Sequence, residues 1–179
     1  MVAVSKISMD QVKSANMPSA STKLQWLMAI LAVVILDQAT KSWASEQLIY
    51  AQPNYVFWWL DITLHHNTGA AFSFLSDAGG WQRYFFTSVA VVVSVAIVVW
   101  LRRLKAHEMR LGWALVLVLA GAVGNLIDRV TLGYVVDFIS VHWDSWYFPT
   151  FNVADSSITV GAILLLIDSF LTPSTQSKD

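Results

Sequence analysis

Tyr84-Phe85-Phe86-Thr87-Ser88-Val89-Ala90-Val91-Val92-Val93-Ser94-Val95-Ala96-Ile97-Val98-Val99-Trp100-Leu101 is a run of eighteen residues without one charge, dense in valine and closed by Arg102-Arg103. A helix needs about 20 mostly apolar residues to cross roughly 30 Å of hydrocarbon, so this run reads as a transmembrane span. Outward from it, Leu111 to Ile127 is nearly as apolar, with Asn125 its only strongly polar member. Upstream, the chain is apolar from Leu24 to Leu36 and continues helically through Asp37, Gln38 and Lys41 to about Ala44. Downstream, Ala154 to Leu171 carries an aspartate near each end of an apolar core. Valine runs such as Val91-Val92-Val93 also occur in buried strands, but four such segments in 179 residues leave too little polar sequence to cover them. Trp26, Trp43, Trp100 and Trp113 flank the spans as an interfacial aromatic belt would.

Composition agrees. Hydrophobic residues make up 56% and charged residues 13%, where a soluble domain carries about a quarter charged, and mean hydropathy is +0.55. The net charge of −1, with no basic tract beyond Arg102-Arg103-Leu104-Lys105, argues against nucleic acid as a partner. With no cysteine there is no disulfide, thiol nucleophile or thiolate metal site.

Lysine and arginine asymmetry sets the orientation. The loop between the second and third spans holds Arg102, Arg103, Lys105 and Arg110, and the two tails hold Lys6, Lys13, Lys23 and Lys178. With four spans these lie on one side, so both termini are expected to be cytoplasmic and the other two loops to face outward. The expected fold class is an α-helical membrane protein with four transmembrane helices and a small extracytoplasmic β element between the first and second. Residues 1–22 read as a disordered cytoplasmic tail, residues 23–172 as the four-helix membrane domain and residues 173–179 as a short cytoplasmic tail. No apolar core precedes Leu24, so the first span reads as an uncleaved signal anchor. In the long outer loop, Val56 to Leu64 has strand composition, Asn67 to Ser73 reads as a turn into a second strand, and Asp77 to Gly80 as a loop.

Ionisable groups in or near spans are costly and mark function by default. Here Asp37, Asn125, Asp128, Arg129, Asp137, Asn152 and Asp155 all fall near the outer surface, with Asp168 the exception near the inner one. Two carboxylates at a membrane surface suit aspartyl hydrolysis, in which one ionised group takes a proton from water and a protonated partner polarises the scissile carbonyl. Spacing alone leaves Asp128, Asp137 and Asp155 all open as members of the pair. Blander readings compete. Asp37 with Lys41 at i, i+4 is a helix-face ion pair, Asp128 beside Arg129 a structural pair closing a helix, Asp155 a helix N-terminal residue favoured by the macrodipole, and Asp168 a solvated group. His65 and His66 alternate across a strand and His142 lies far away in sequence, so no metal is implied. A serine–lysine dyad would need Lys41 with Ser42, which do not face each other on a helix, or with Ser73.

Leu36-Asp37-Gln38, Asn67-Thr68-Gly69-Ala70-Ala71-Phe72-Ser73, Gly124-Asn125-Leu126-Ile127-Asp128-Arg129, Val135-Val136-Asp137-Phe138 and Phe151-Asn152-Val153-Ala154-Asp155-Ser156 resemble, block by block and in order, the lipoprotein signal peptidase (signal peptidase II) family. The likeness covers about residues 24–171. It implies a bacterial inner-membrane aspartyl endopeptidase that cuts prolipoproteins just before a diacylglyceryl-modified cysteine. By resemblance Asp137 and Asp155 form the catalytic dyad, Asn67, Asn125, Arg129 and Asn152 line the pocket, and Asp37 and Asp128 support it. The implied partners are a lipid-modified prolipoprotein and membrane lipid, with no cofactor; nothing in the residues sets an oligomeric state, and a monomer is compatible. Two other classes compete: a small proton-coupled carrier using Asp37, Asp128 and Asp155 as relay groups, and a membrane assembly factor that would tolerate loss of either aspartate.

Overall fold

The computed structural model describes residues 17–69 and 81–171. Four helices long and apolar enough to cross a membrane form the frame: α1 (Ala20–Gln47), α2 (Trp81–Arg103), α3 (Met109–Thr131) and α4 (Val153–Leu171). Ser19 opens α1 by accepting the Thr22 amide on its side chain at 3.1 Å, the usual answer to unpaired donors at a helix start. The expected spans therefore stand, each a few residues longer than its apolar core.

The centre of the bundle is α3, whose Ala114, Leu115, Val116, Leu119 and Ala120 are buried. Small residues let its neighbours come close, as expected where lipid supplies no hydrophobic drive between helices. A Cβ on Gly121 would collide with the Ala154 carbonyl of α4, and one on Gly161 would stand 2.8 Å from the Ala114 carbonyl. By contrast α2 is peripheral: only 6% of its most apolar window is buried, and Gln82 and Ile97 are its buried residues.

The sheet has the order β1-β2-β3-β4, with β1 (Asn54–Phe57), β2 (Leu60–Asn67), β3 (Val135–Trp143) and β4 (Trp146–Tyr147), every pairing antiparallel. Three expectations change here. Val56 to Leu64 is not one strand but a hairpin turned at Trp58-Trp59. The β element is not confined to the loop between the first and second spans: the stretch around Asp137, between the third and fourth, is a nine-residue strand at the middle of the sheet. The sheet thus draws on both loops at that end of the bundle. Trp26 is also no belt residue: it is buried against Gly112 of α3. The expected turn and strand at Ala70 to Ser73, the loop at Asp77 to Gly80 and most of both tails lie outside the described residues, while α1 already begins at Ala20.

Leu64, Val136 and Phe138 pack on Ala44, with Leu48 just past α1 and Val153 of α4 against them. One face of the sheet therefore rests on the bundle end. Beyond that contact the two turns carry exposed Trp58, Trp59, Trp143 and Trp146, with Trp58 edge-on to Trp143 at 4.6 Å.

Candidate active site

A three-carboxylate, one-lysine knot ties the helix ends together. Lys41 Nζ lies 2.9 Å from Asp37 Oδ2 and 3.0 Å from Asp128 Oδ2, and donates to Asn125 Oδ1 at 2.9 Å. Asp37, Lys41 and Asp128 are all almost fully buried, so these charges are held by one another rather than by water. Asp37 Oδ1 accepts the Ala154 amide at 2.8 Å, capping α4 from α1. Asp128 Oδ2 accepts the Val136 amide at 3.0 Å, fixing the start of β3, and Gln38 Nε2 donates to Asp128 Oδ1 at 2.9 Å. The third carboxylate, Asp155, reaches the knot through Asn125.

Asn152 and Asp155 form a reciprocal helix cap at the head of α4. Asn152 Oδ1 accepts the Asp155 amide at 2.9 Å, and the Asn152 amide donates to Asp155 Oδ2 at 3.3 Å, the pattern of a capping box. Asn125 Nδ2 donates to Asp155 Oδ1 at 2.8 Å. The Asn152 side chain meanwhile donates to Asp137 Oδ1 at 2.6 Å, and Asn67 Nδ2 donates to Asp137 Oδ2 at 3.0 Å. So both aspartates hang on Asn152, one by its side chain and one by its main chain. A bulge between Ile62 and His65 in β2 lies just before the register that sets Asn67 opposite Val135, as bulges beside sites commonly re-aim a strand. Burial, and next the Asp155 charge, push the Asp137 carboxyl up to about 7 against the pull of Asn67, Asn152 and Lys41.

Beside Asp155 opens a cavity of about 260 Å³ between α2, α3 and α4, walled by Phe86, Val89, Val93, Val118, Ala122 and Ile158. Its polar end is made by Asn125, Arg129 and Asp155. The Arg129 guanidinium sits 5.8 Å from the centre of the Phe86 ring, donates to the Asn125 carbonyl at 3.4 Å, and its Nε has no hydrogen-bond partner among the described residues.

The structure brings together all eight candidates: Asp37, Asn67, Asn125, Asp128, Arg129, Asp137, Asn152 and Asp155. Other readings move. The ion-pair partner of Asp128 is Lys41 and not Arg129. Asp168 is not simply solvated, because Arg110 Nε lies 3.2 Å from its Oδ1. Buried Lys41 is engaged by two carboxylates while Ser42 is exposed, which leaves no serine–lysine dyad between neighbours; Ser73 lies outside the described residues. His66 stacks on Tyr134 at 4.1 Å, and His142 Nε2 lies 3.3 Å from Asp61 Oδ2. Lys41 itself was missed as a site residue. Its i, i+4 spacing pointed to Asp37, but its other two partners come from α3.

A bundle of membrane-length helices that converges at one end on a pair of amide-held carboxylates, with an apolar groove running away from them, is the frame of a membrane-embedded hydrolase. The Signal peptidase (SPase) II family profile matches residues 29–171. The lipoprotein signal peptidase of Acinetobacter baumannii is 56% identical over 156 residues, spanning 87% of this chain and 89% of that protein. That of Ectopseudomonas mendocina is 54% identical, spanning 86% and 94%, and that of Pseudomonas aeruginosa 53% identical, spanning 83% and 89%. A solved bacterial membrane enzyme superposes with a TM-score of 0.77 at 32% identity, covering 92% of this chain and 97% of that one. The chain belongs to the signal peptidase II family and is a multi-pass bacterial membrane protease.

Proposed function

We propose that this protease cleaves prolipoproteins before a diacylglyceryl-modified cysteine, with Asp137 and Asp155 as the catalytic pair. The observation that carries this is the shared suspension of both carboxylates on Asn152 at the mouth of an apolar groove. Like charges held together share one proton, and Asp137, raised to about 7, takes it up as pH falls through neutrality. Asp155 takes a proton from water, the water oxygen attacks the scissile carbonyl carbon, and Asp137 gives its proton to the carbonyl oxygen. Collapse of the gem-diol breaks the C–N bond; Asp155 protonates the leaving amine and Asp137 recovers its proton. Asn67, Asn125 and Asn152 orient the pair with neutral donors, while the Lys41 knot fixes the elements that carry them. The groove suits an acyl chain, whose burial is worth about 0.8 kcal/mol per CH₂, so few polar contacts are needed. A carrier would place its ionisable groups near the midplane; here they gather at one end of the helices. The direct test offers the purified enzyme a diacylglyceryl-modified precursor beside its unlipidated form. Cleavage before the lipidated cysteine alone is expected, and equal cleavage of both would remove the lipid from the reading.

The pH profile follows from the sign of the shift. A reaction that needs protonated Asp137 loses about tenfold in rate per pH unit above about pH 7, while its need for ionised Asp155 gives the profile an acid limb as well. Asn67→Ala removes a hydrogen bond that lowers the Asp137 pKa, so the alkaline limb of kcat/KM moves to higher pH. A limb that stays put or moves down would assign it to another group.

The basic loop of Arg102, Arg103 and Lys105 lies at the opposite helix ends from the site, which favours an extracytoplasmic site and cytoplasmic termini. The sheet then lies along the outer leaflet with its tryptophan turns reaching past the bundle. Because the chain has no cysteine, Ser145→Cys takes a single environment-sensitive fluorophore between exposed Trp143 and Trp146. In vesicles its emission is expected to be blue-shifted and quenched by brominated lipid. Water-like emission with full quenching by iodide would lift the turns off the membrane.

A further inference from the structure

Arg83 stands in the first turn of α2, where the helix dipole disfavours a cation, so its own helix does not explain it. Its partners lie on another helix. Nε donates to the Arg129 carbonyl at 2.9 Å and Nη2 to the Val130 carbonyl at 3.0 Å, two carbonyls from the last turn of α3, where intrahelical donors run out. The Leu132 and Gly133 amides both turn back to Asp128 instead. The guanidinium is seated against Gly133, whose φ is +90° and on which a Cβ would stand 3.1 Å from Nη1. A side chain at that position would be both strained and in the way. One turn along α2, Phe86 faces the side chain of the same Arg129. Thus α2 grips Arg129 twice, by its carbonyl through Arg83 and by its guanidinium through Phe86.

The tie matters because α2 is the weakly held wall of the groove. It supplies Phe86, Val89, Ala90 and Val93 to the cavity, yet most of its surface faces outward. At its far end it is anchored by Ile97, and by Leu104 just past the helix, in the apolar cluster around Trp26 and Leu115. At the site end, Arg83 supplies a two-point polar tether to α3. The opposite walls, α3 and α4, pack closely through Gly121 against Ala154 and Gly161 against Ala114.

We propose that Arg83 is a positioning residue that sets the width of the lipid groove by tethering α2 to the end of α3. The inference rests on the proposed lipid-dependent peptidase reading. Loss of the tether lets α2 swing outward about its anchored end and loosens the walls around an acyl chain, without touching either carboxylate.

The test combines kinetics with a distance. In Arg83→Ala, KM for a diacylglyceryl-modified precursor is expected to rise about tenfold, with kcat within about twofold of wild type. The gain in kcat/KM as the acyl chains lengthen should flatten. Arg83→Lys, whose ammonium reaches the same carbonyls, should recover much of the KM. In parallel, spin labels on Trp81→Cys and Leu132→Cys, both exposed positions in a chain without native cysteine, report the α2–α3 separation. That distribution should broaden or lengthen by several ångströms in Arg83→Ala and stay narrow with Arg83 present. A fall in kcat at unchanged KM would overturn the proposal and place Arg83 in the chemistry through Arg129. An unchanged distance distribution would overturn it too, whatever the kinetics. Failure of the peptidase reading would look different, because the parent enzyme itself would then show no lipid-dependent cleavage.

Discussion

Asp137→Asn and Asp155→Asn are each expected to lower single-turnover cleavage of a lipidated precursor by at least about 10³-fold, in proteins that still fold. Removing a general acid or base costs about 10² to 10⁴, and members of one catalytic unit fail together, so the double variant should be less than about tenfold worse than either single one. Asp137→Asn carries a second signature. The native Asp137 carboxyl is raised from 3.8 to about 7, so the folded state binds this proton more tightly than the unfolded chain does. The stability it lends is fully present below about pH 4 and is lost as pH rises through 7. An asparagine has no proton to lose. Relative to wild type, Asp137→Asn should therefore gain stability between pH 4 and 8, by about 4 kcal/mol at most on the linkage relation. Melting temperatures measured across that range decide it. A constant offset would mean that the folded protein holds no extra proton at Asp137, and Asp128→Asn losing activity while Asp137→Asn keeps it would reassign the pair.

Lys41→Met is expected to be the most destabilising single change, by about 3 to 5 kcal/mol. It strips the counter-charge from Asp37 and Asp128, both buried, and takes a donor from Asn125. An uncompensated buried carboxylate is far costlier than the pair is valuable. Adding Asp37→Asn and Asp128→Asn to Lys41→Met should thus restore at least half of the loss, since asparagine can still accept from Ala154 and Val136. Thermal unfolding in detergent measures both. A Lys41→Met protein that melts with wild type would mean that water reaches these charges.

How much of this was legible in the residues differs by element. The spans were, because 18 to 20 apolar residues are a length requirement that needs no partner. The sheet was only half legible. Trp58-Trp59 offers none of the glycine, proline or asparagine that marks a turn, so the hairpin read as one strand. Asp137 and His142 interrupt the apolar pattern of β3, which hid a central strand inside an apparent loop. For the site, spacing narrowed the aspartates to three and the family resemblance named two of them. Neither could show that Asp128 belongs to Lys41, 87 positions away, instead of its neighbour Arg129. Partners across helices depend on helix rotation, and Gly124 illustrates this: its lack of a side chain lets Asp37 Oδ2 come within 2.6 Å of where a Cβ would be.

The reciprocal cap of Asn152 and Asp155 bears on timing during synthesis. Domains assemble from the N-terminus as the chain emerges, and Asp37, Lys41 and Asp128 all belong to the first three helices. They can knot together while the fourth is still being made. Asp155, the Ala154 amide that Asp37 awaits, and the Asn152 side chain that steadies Asp137 arrive only with the last helix. Both carboxylates gain their settings in the same event that starts that helix, so a nascent chain arrested before it is a built but idle frame. On the proposed pairing, proteolytic capability waits for the fourth helix.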